Sequence, residues 1–261
     1  MFSESGIISN GYLFEESLVE RASSLWKLRE AQIAVDGVGD NHNRIKAFVS
    51  VKDNPYERIL KNIKLLLKYG VRVNLRMNFD LGNYQDFALL LKDLQSEIPP
   101  NQKIGVYATP VLGEYSNDDG PIPHGDDEWM VQKICELNDL SRNAGYNRYG
   151  VSLPHLEYSG CSAADRSYLI IGPQGNIYRC LECVQSKDAV GDIDHGITNQ
   201  DLVSMWRQLA DYEKCHNCEY YPWCMKMSAC SAGDRCYQLD TKHQTEYTIK
   251  MVYEDYLKKG G

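Results

Sequence analysis

Val71-Arg72-Val73-Asn74-Leu75-Arg76-Met77-Asn78 alternates apolar and polar side chains without a break. Successive side chains of a strand point to opposite faces. Val71, Val73, Leu75 and Met77 therefore share one face, and Arg72, Asn74, Arg76 and Asn78 the other. A parallel strand covered on both sides normally reads as a nearly continuous apolar run. This one needs one face packed on helices and one face lining something polar. Gln32-Ile33-Ala34-Val35-Asp36 repeats the arrangement, with Gln32 and Asp36 flanking Ala34, and the glycine-containing loop Gly37-Val38-Gly39 follows it. A partly open barrel or curved sheet with a wet, charged inner side follows. Asp36, Arg76 and Asn78 are its candidate cofactor-binding side chains; the alternative is a structural ion pair between Arg76 and Asp36.

Working outward, strands and amphipathic helices alternate from Gly6 to about Tyr158. Ile7-Ile8-Ser9 reads as a strand closed by the turn pair Asn10-Gly11. Leu18, Ala22, Leu25 and Trp26 mark one face of a helix. Asp53 or Asn54 caps another, with Pro55 in its first turn, a stripe of Ile59, Ile63, Leu66 and Leu67, and Gly70 at its end. Phe87, Leu90, Leu91, Leu94 and Ile98 form the next stripe, stopped by Pro99-Pro100. Ile104 to Ala108 is a fourth strand, and Asp126-Asp127-Glu128 opens a helix whose positive end suits those acids. Strand–helix units of about 35 residues imply parallel strands with right-handed crossovers.

After Cys161 the character changes. Tyr168–Ile171 and Asn176–Arg179 read as a hairpin, followed by a short helix near Leu202–Leu209 and a closing helix from about Thr241 to Tyr256. The chain has nine cysteines, and all but Cys135 fall in this segment: Cys161, Cys180, Cys183, Cys215, Cys218, Cys224, Cys230 and Cys236. Cys215-His-Asn-Cys218-Glu-Tyr-Tyr-Pro-Trp-Cys224 is the most specific piece, because a Cys-x-x-Cys turn brings two sulfurs to one centre and a third returns after a short loop. Eight thiolates suffice for two four-coordinate centres. Few aliphatic residues accompany them, and small units of that kind generally need metal to fold. Cys135, in a helical stretch, reads as a buried thiol.

The 261 residues, 43% hydrophobic and 25% charged, suit a globular protein of one large domain or two unequal ones. A formal charge of −8 argues against nucleic-acid partners and anionic membranes. No apolar run approaches the roughly 18–20 residues of a membrane helix. The start lacks the basic and apolar stretches of a signal peptide, so a cytoplasmic location is expected. There, clustered cysteines more often bind metal than form disulfides.

Taken together, Cys161, thirteen residues, Gly175, four residues and Cys180, followed by Cys215-x2-Cys218-x5-Cys224, resemble the SPASM domain of radical S-adenosylmethionine (SAM) enzymes. Ile8-Ser-Asn-Gly11, Gln32 to Gly37 with His42, and the run from Tyr56 to Asn78 resemble the middle strands of the radical SAM barrel. The resemblance implies an α/β fold: a partial, open radical SAM-type β/α barrel over residues 1–158, then a small Cys-rich SPASM-like α+β domain over 159–261. It also implies two auxiliary [4Fe-4S] clusters. Cys215, Cys218, Cys224 and Cys236 would hold one; Cys161, Cys180 and Cys230, with Cys183, would hold the other. The spacing leaves the division of Cys183, Cys230 and Cys236 open. Zinc is the alternative occupant, with His195 and His216 as further candidate ligands against solvated or hydrogen-bonded roles.

Intact members of the family cleave SAM to a radical that abstracts hydrogen from a peptide or protein. They do so at a cluster held by a Cys-x3-Cys-x2-Cys loop, which this sequence lacks, as it lacks the Gly-Gly-Glu segment that holds SAM. Ala34 and Lys46 stand where the family tends to have Ser and Arg. The resemblance therefore implies a chain without the first two barrel units. SAM chemistry is expected only if the missing N-terminal part is supplied. Two functions remain: part of a peptide-modifying oxidoreductase, or a non-catalytic metal-stabilised module that binds a peptide or partner. In either case Ile7–Ser9 would be an exposed edge, open to an N-terminal fragment or a second copy.

Overall fold

The computed structural model describes residues 4–49, 53–111, 116–117, 120–121, 128–146, 161–181, 183–221, 227–230 and 238–258. The chain divides into two compact units, Met1–Gly150 and Val151–Gly261.

In the larger unit, β1 (Ser5–Ser9), β2 (Leu28–Ala34), β3 (Arg72–Phe79) and β4 (Ile104–Pro110) form one parallel sheet in the order β1-β2-β3-β4. The helices between them are α1 (Glu16–Ser24), α2 (Gly39–Lys46), α3 (Pro55–Lys68) and α4 (Asp86–Glu97); α5 (Glu128–Asn143) follows β4 and the short ribbon of β5 (Ser116–Asn117) and β6 (Gly120–Pro121). Ala31 lies beside Val73, Ile33 beside Leu75, and Leu75 beside Val106, which places the apolar set of each strand on one face. That face is buried with Ile59, Ile63 and Leu66 of α3, Phe87, Leu90 and Leu94 of α4, and Met130 and Leu137 of α5. Each such side chain contributes about 1.5–3 kcal/mol by leaving water. The opposite face carries Gln32, Asn74, Arg76, Asn78 and Tyr107, as the alternation of β3 predicts.

Local sequence explains most of these elements. Asn54 caps α3 by accepting from the backbone N–H groups of Tyr56 and Glu57, and Pro55 occupies the first turn. Gly11 has φ +78, and a Cβ there would stand 2.8 Å from Ile33, so the turn leaving β1 admits only glycine. Asn62, buried in α3, donates to the carbonyls of Gly11 and Tyr12 and ties that turn down.

Two expectations change. Leu25 and Trp26 do not belong to the buried stripe of α1, which is made by Val19 and Ala22; the helix ends at Ser24, and Leu25 and Trp26 are 71% and 50% exposed. Lys27, at φ 52, turns the chain sharply into β2 and leaves both side chains outside the core. In addition, the expected loop Gly37-Val38-Gly39 runs directly into α2, which begins at Gly39 and, being mostly polar, has no apolar period to reveal it.

In the smaller unit the expected hairpin, β7 (Ile170–Ile171) and β8 (Asn176–Tyr178), is extended by β9 (Gly191–Asp192) and β10 (Gly196–Ile197) into an antiparallel sheet ordered β10-β9-β8-β7. α6 (Gln200–Met205) and the closing α7 (Gln238–Lys258) are the other helices among the described residues. No helix there is long and apolar enough to cross a membrane.

Candidate metal centre and strand-end polar site

Among the described residues of the smaller unit, one apolar cluster buries Ala163, Ile177, Cys183, Val190, Val203, Trp206 and Met227. Cys161, Cys180 and Cys230 pack against it, half-buried, beside the buried Cys183. Four of the expected metal ligands, drawn from three stretches of sequence, thus share one apolar cluster. Cys161 precedes a 3-10 turn, Ser162–Ala164, and its carbonyl accepts from the Ala164 N–H at 2.9 Å. Cys180 leaves the end of β8, and a tight turn brings the Cys183 N–H to the Cys180 carbonyl at 3.2 Å. Cys230 is delivered by a turn in which its N–H reaches the Met227 carbonyl, while Ser228 donates to the Gln208 and Leu209 carbonyls.

Cys215 and Cys218 form the anticipated turn, with the Cys218 N–H on the Cys215 carbonyl at 3.2 Å. Cys224 and Cys236 lie outside the described residues. Among the described residues, no three Cys, His, Asp or Glu side chains are placed to share one metal ion. His195 and His216 are exposed and engaged elsewhere, His195 Nδ1 with Asp192 at 2.9 Å and His216 Nε2 with Asp211 at 2.6 Å. The hydrogen-bonded role is the one both adopt. Cys135 is half-buried on α5, in the other unit.

The second candidate site stands at the C-terminal ends of the parallel strands, where α/β sheets generally bind ligands. Asp36 is its centre. One carboxylate oxygen accepts from the Asn78 backbone N–H at 3.0 Å and the Asn78 side-chain amide at 2.9 Å. The other pairs with Lys46 Nζ at 2.5 Å. The Asp36 N–H donates to His42 Nδ1 at 3.1 Å, and buried Asn83 donates to the Asp36 and Asn78 carbonyls. The ion pair of Asp36 is therefore with Lys46 from α2, not with Arg76, because α2 returns its last turn to the end of β2. Arg76 sits beside Ala34 and Tyr107 in the sheet, with its Nε buried and unpartnered.

Set against SAM, this arrangement spends Asp36 on Asn78 and Lys46, and leaves Arg76 with a buried Nε that has no partner among the described residues. His42 is fully buried, and burial drives its pKa down to about 4, with Lys46 adding to the fall and Asp36 opposing it. The residues that sequence reasoning missed here are Lys46 as a partner of Asp36, and Asn83. The only signal for Asn83 was the turn-forming run Asp80-Leu-Gly-Asn83.

No protein-family model and no curated protein matches this sequence. Solved structures do. The chain is similar to the anaerobic sulfatase maturase anSMEcpe with bound AdoMet, at a TM-score of 0.63 and 15% identity, over 96% of this chain and 74% of that one. The same maturase with AdoMet and the Cp18Cys peptide gives 0.61 at 15% identity, over 96% and 75%. Streptococcus suis SuiB bound to S-adenosylmethionine gives 0.53 at 14% identity, over 87% and 55%. These neighbours are radical SAM peptide-modifying enzymes. At such identity the likeness is one of fold: the chain carries a partial α/β fold of the radical SAM type.

Proposed function

We propose that this chain is an iron–sulfur protein corresponding to the C-terminal part of a radical SAM/SPASM oxidoreductase that modifies peptides or proteins. A partial barrel would occupy residues 1–158 and a SPASM-like domain 159–261. The observation that carries the reading is the convergence of Cys161, Cys180, Cys183 and Cys230 on one small apolar core. Thiolates are the ligands iron–sulfur clusters use, and metal bound by cysteines from separate stretches adds directly to the folding energy of the unit they join. A cubane spreads its thiolates over four separate irons, so its ligands stand farther apart than those of a single ion. Cys215 and Cys218, with Cys224 and Cys236, would hold the second cluster. When bound, such clusters supply electron transfer or a ligand for substrate. A peptide substrate is supported by the fold neighbour solved with a peptide. The cysteine usage suits a reducing, cytoplasmic setting.

Anaerobic reconstitution should give a brown protein absorbing near about 400 nm with about eight irons per chain. Incubation with SAM and reductant should yield no 5′-deoxyadenosine from this chain alone. Robust turnover would refute that part of the reading, and a colourless protein with stoichiometric zinc would refute the clusters.

A second reading, a metal-stabilised module that binds a partner, draws on β1. This strand is the edge of its sheet, and Ile7 and Ile8 on its two faces are 40% and 68% exposed. Ser5–Ser9 carries none of the lysines or prolines that blunt an edge. A second copy or another polypeptide would complete the sheet by adding a strand there. Sedimentation should show the wild type self-associating and Ile8→Lys monomeric; a monomeric wild type would remove this surface from consideration.

A further inference from the structure

Among the described residues Arg179 heads the largest fully buried side chains, at 1% exposure, in the smaller unit. Burying a guanidinium is costly unless opposite charge and hydrogen-bond acceptors surround it. Its acceptors are backbone carbonyls. Nε and Nη2 both donate to the Ala163 carbonyl, at 3.0 and 2.7 Å, and Nη2 also donates to the Asp165 carbonyl. No carboxylate among the described residues forms an ion pair with it. Asp165 attracts it only weakly, its carboxylate being engaged with Ser167, and the like charge of Arg207 lies close enough to oppose it. Nη1 is buried and has no partner among the described residues. Because Nε and Nη2 share one edge of the planar guanidinium, Nη1 lies on the edge turned away from the Ala163 carbonyl.

The position of this cation matters. Ala163 belongs to the 3-10 turn that Cys161 begins, and Arg179 itself immediately precedes Cys180. Arg179 follows Tyr178, the last residue of β8, and nearby Ile177 lies in the same apolar cluster as Ala163 and Cys183. The buried charge thus links the turn of one expected ligand to the backbone beside the next, and it holds a donor with no partner among the described residues. A four-thiolate iron–sulfur cluster carries net negative charge, and hydrogen bonds to its sulfurs raise its potential.

Resting on the iron–sulfur reading above, we propose that Arg179 supplies the counter-charge and an Nη1–H donor to the cluster held by Cys161, Cys180, Cys183 and Cys230. In that place it raises the reduction potential of this cluster. Arg179 is a positioning and tuning residue, and its Nε and Nη2 bonds hold it in place.

The test is a redox titration of the anaerobically reconstituted full chain, followed by electron paramagnetic resonance. Arg179→Gln keeps two amide donors for the carbonyls and loses the charge. It should retain wild-type iron while one of the two clusters becomes about tenfold harder to reduce, a shift of about 59 mV to lower potential for a one-electron couple. Arg179→Lys, which keeps the charge, should shift less. Wild-type iron with an unmoved potential in Arg179→Gln would make Arg179 a carbonyl clamp and overturn the proposal. Should that variant fail to assemble, wild-type protein grown with nitrogen-15 arginine decides the matter: the reduced cluster should show a nitrogen hyperfine coupling, and its absence overturns the proposal equally. A wild type that binds no iron overturns the iron–sulfur reading first, and this inference with it.

Discussion

Cys180→Ser, reconstituted beside the wild type with iron and sulfide, should hold about half the wild-type iron, close to four atoms per chain in place of about eight. Cys180 leaves β8 within one tight turn of Cys183, and both join the apolar cluster shared by Cys161 and Cys230. Serine is nearly the same size but a poor ligand for iron. The loss should therefore fall on that centre and leave the one at Cys215 and Cys218 filled. Cys135→Ser, changed on α5 in the larger unit, should keep the full complement. The same loss should appear in folding. Because metal binding by cysteines from separate stretches is coupled to folding, removing the metal by chelation should melt the smaller unit while the sheet of β1 to β4 persists, visible as a partial loss of circular dichroism. Full iron in Cys180→Ser would remove Cys180 from the ligand set.

The second large effect is on pH. His42 accepts a hydrogen bond at Nδ1 from the Asp36 N–H, so its proton sits on Nε2, buried and unpartnered. The rings of Tyr56 and Phe48 lie 5.8 and 6.1 Å from its own. Burial first, and the Lys46 charge second, hold its pKa at about 4, against an ordinary 6.5, although the Asp36 carboxylate opposes the shift. The unfolded chain therefore binds a proton between those two values that the folded chain refuses. Stability is complete above the unfolded pKa, falls as the pH drops from there toward 4, and levels off below. The depression corresponds to about 3 kcal/mol in all, of which about 2 kcal/mol is lost by pH 5. Urea unfolding at pH 7.5 and pH 5 should show this loss in the wild type. His42→Gln, whose amide oxygen can still accept from Asp36 without titrating, should lose that much less. Equal losses in the two proteins would mean that His42 ionises freely in the folded state.

Much of the fold was legible in the sequence because neighbouring residues encode it. The period of two in Val71–Asn78 fixed both the strand and its two unlike faces, and the parallel register sets Leu75 beside Ile33 and Val106 as that pattern requires. Asn54-Pro55 at one end of α3 and Gly70 beyond the other bounded that helix. The failures share a cause. α2 carries charged and amide residues over almost its whole length, so no apolar stripe announced it. Leu25 and Trp26 matched a helical stripe by type but lie past the helix end, where the backbone turns rather than winds. β9 and β10 are too short to show any alternation.

The sequence by itself determined that parallel strands alternate with helices, that one sheet face is polar, and that a cysteine-rich segment with little aliphatic core follows. Each of these depends on residue type and spacing within a few positions. Only the tertiary structure decided which charges meet. Asp36 pairs with Lys46 because an unannounced helix returns to the strand end, and His42 becomes neutral because that helix buries it. Arg179 became an unspent buried cation because the turn after Cys161 folds over it. Such pairings depend on backbone paths that bring distant residues together, and a charge in a sequence does not say what will stand opposite it.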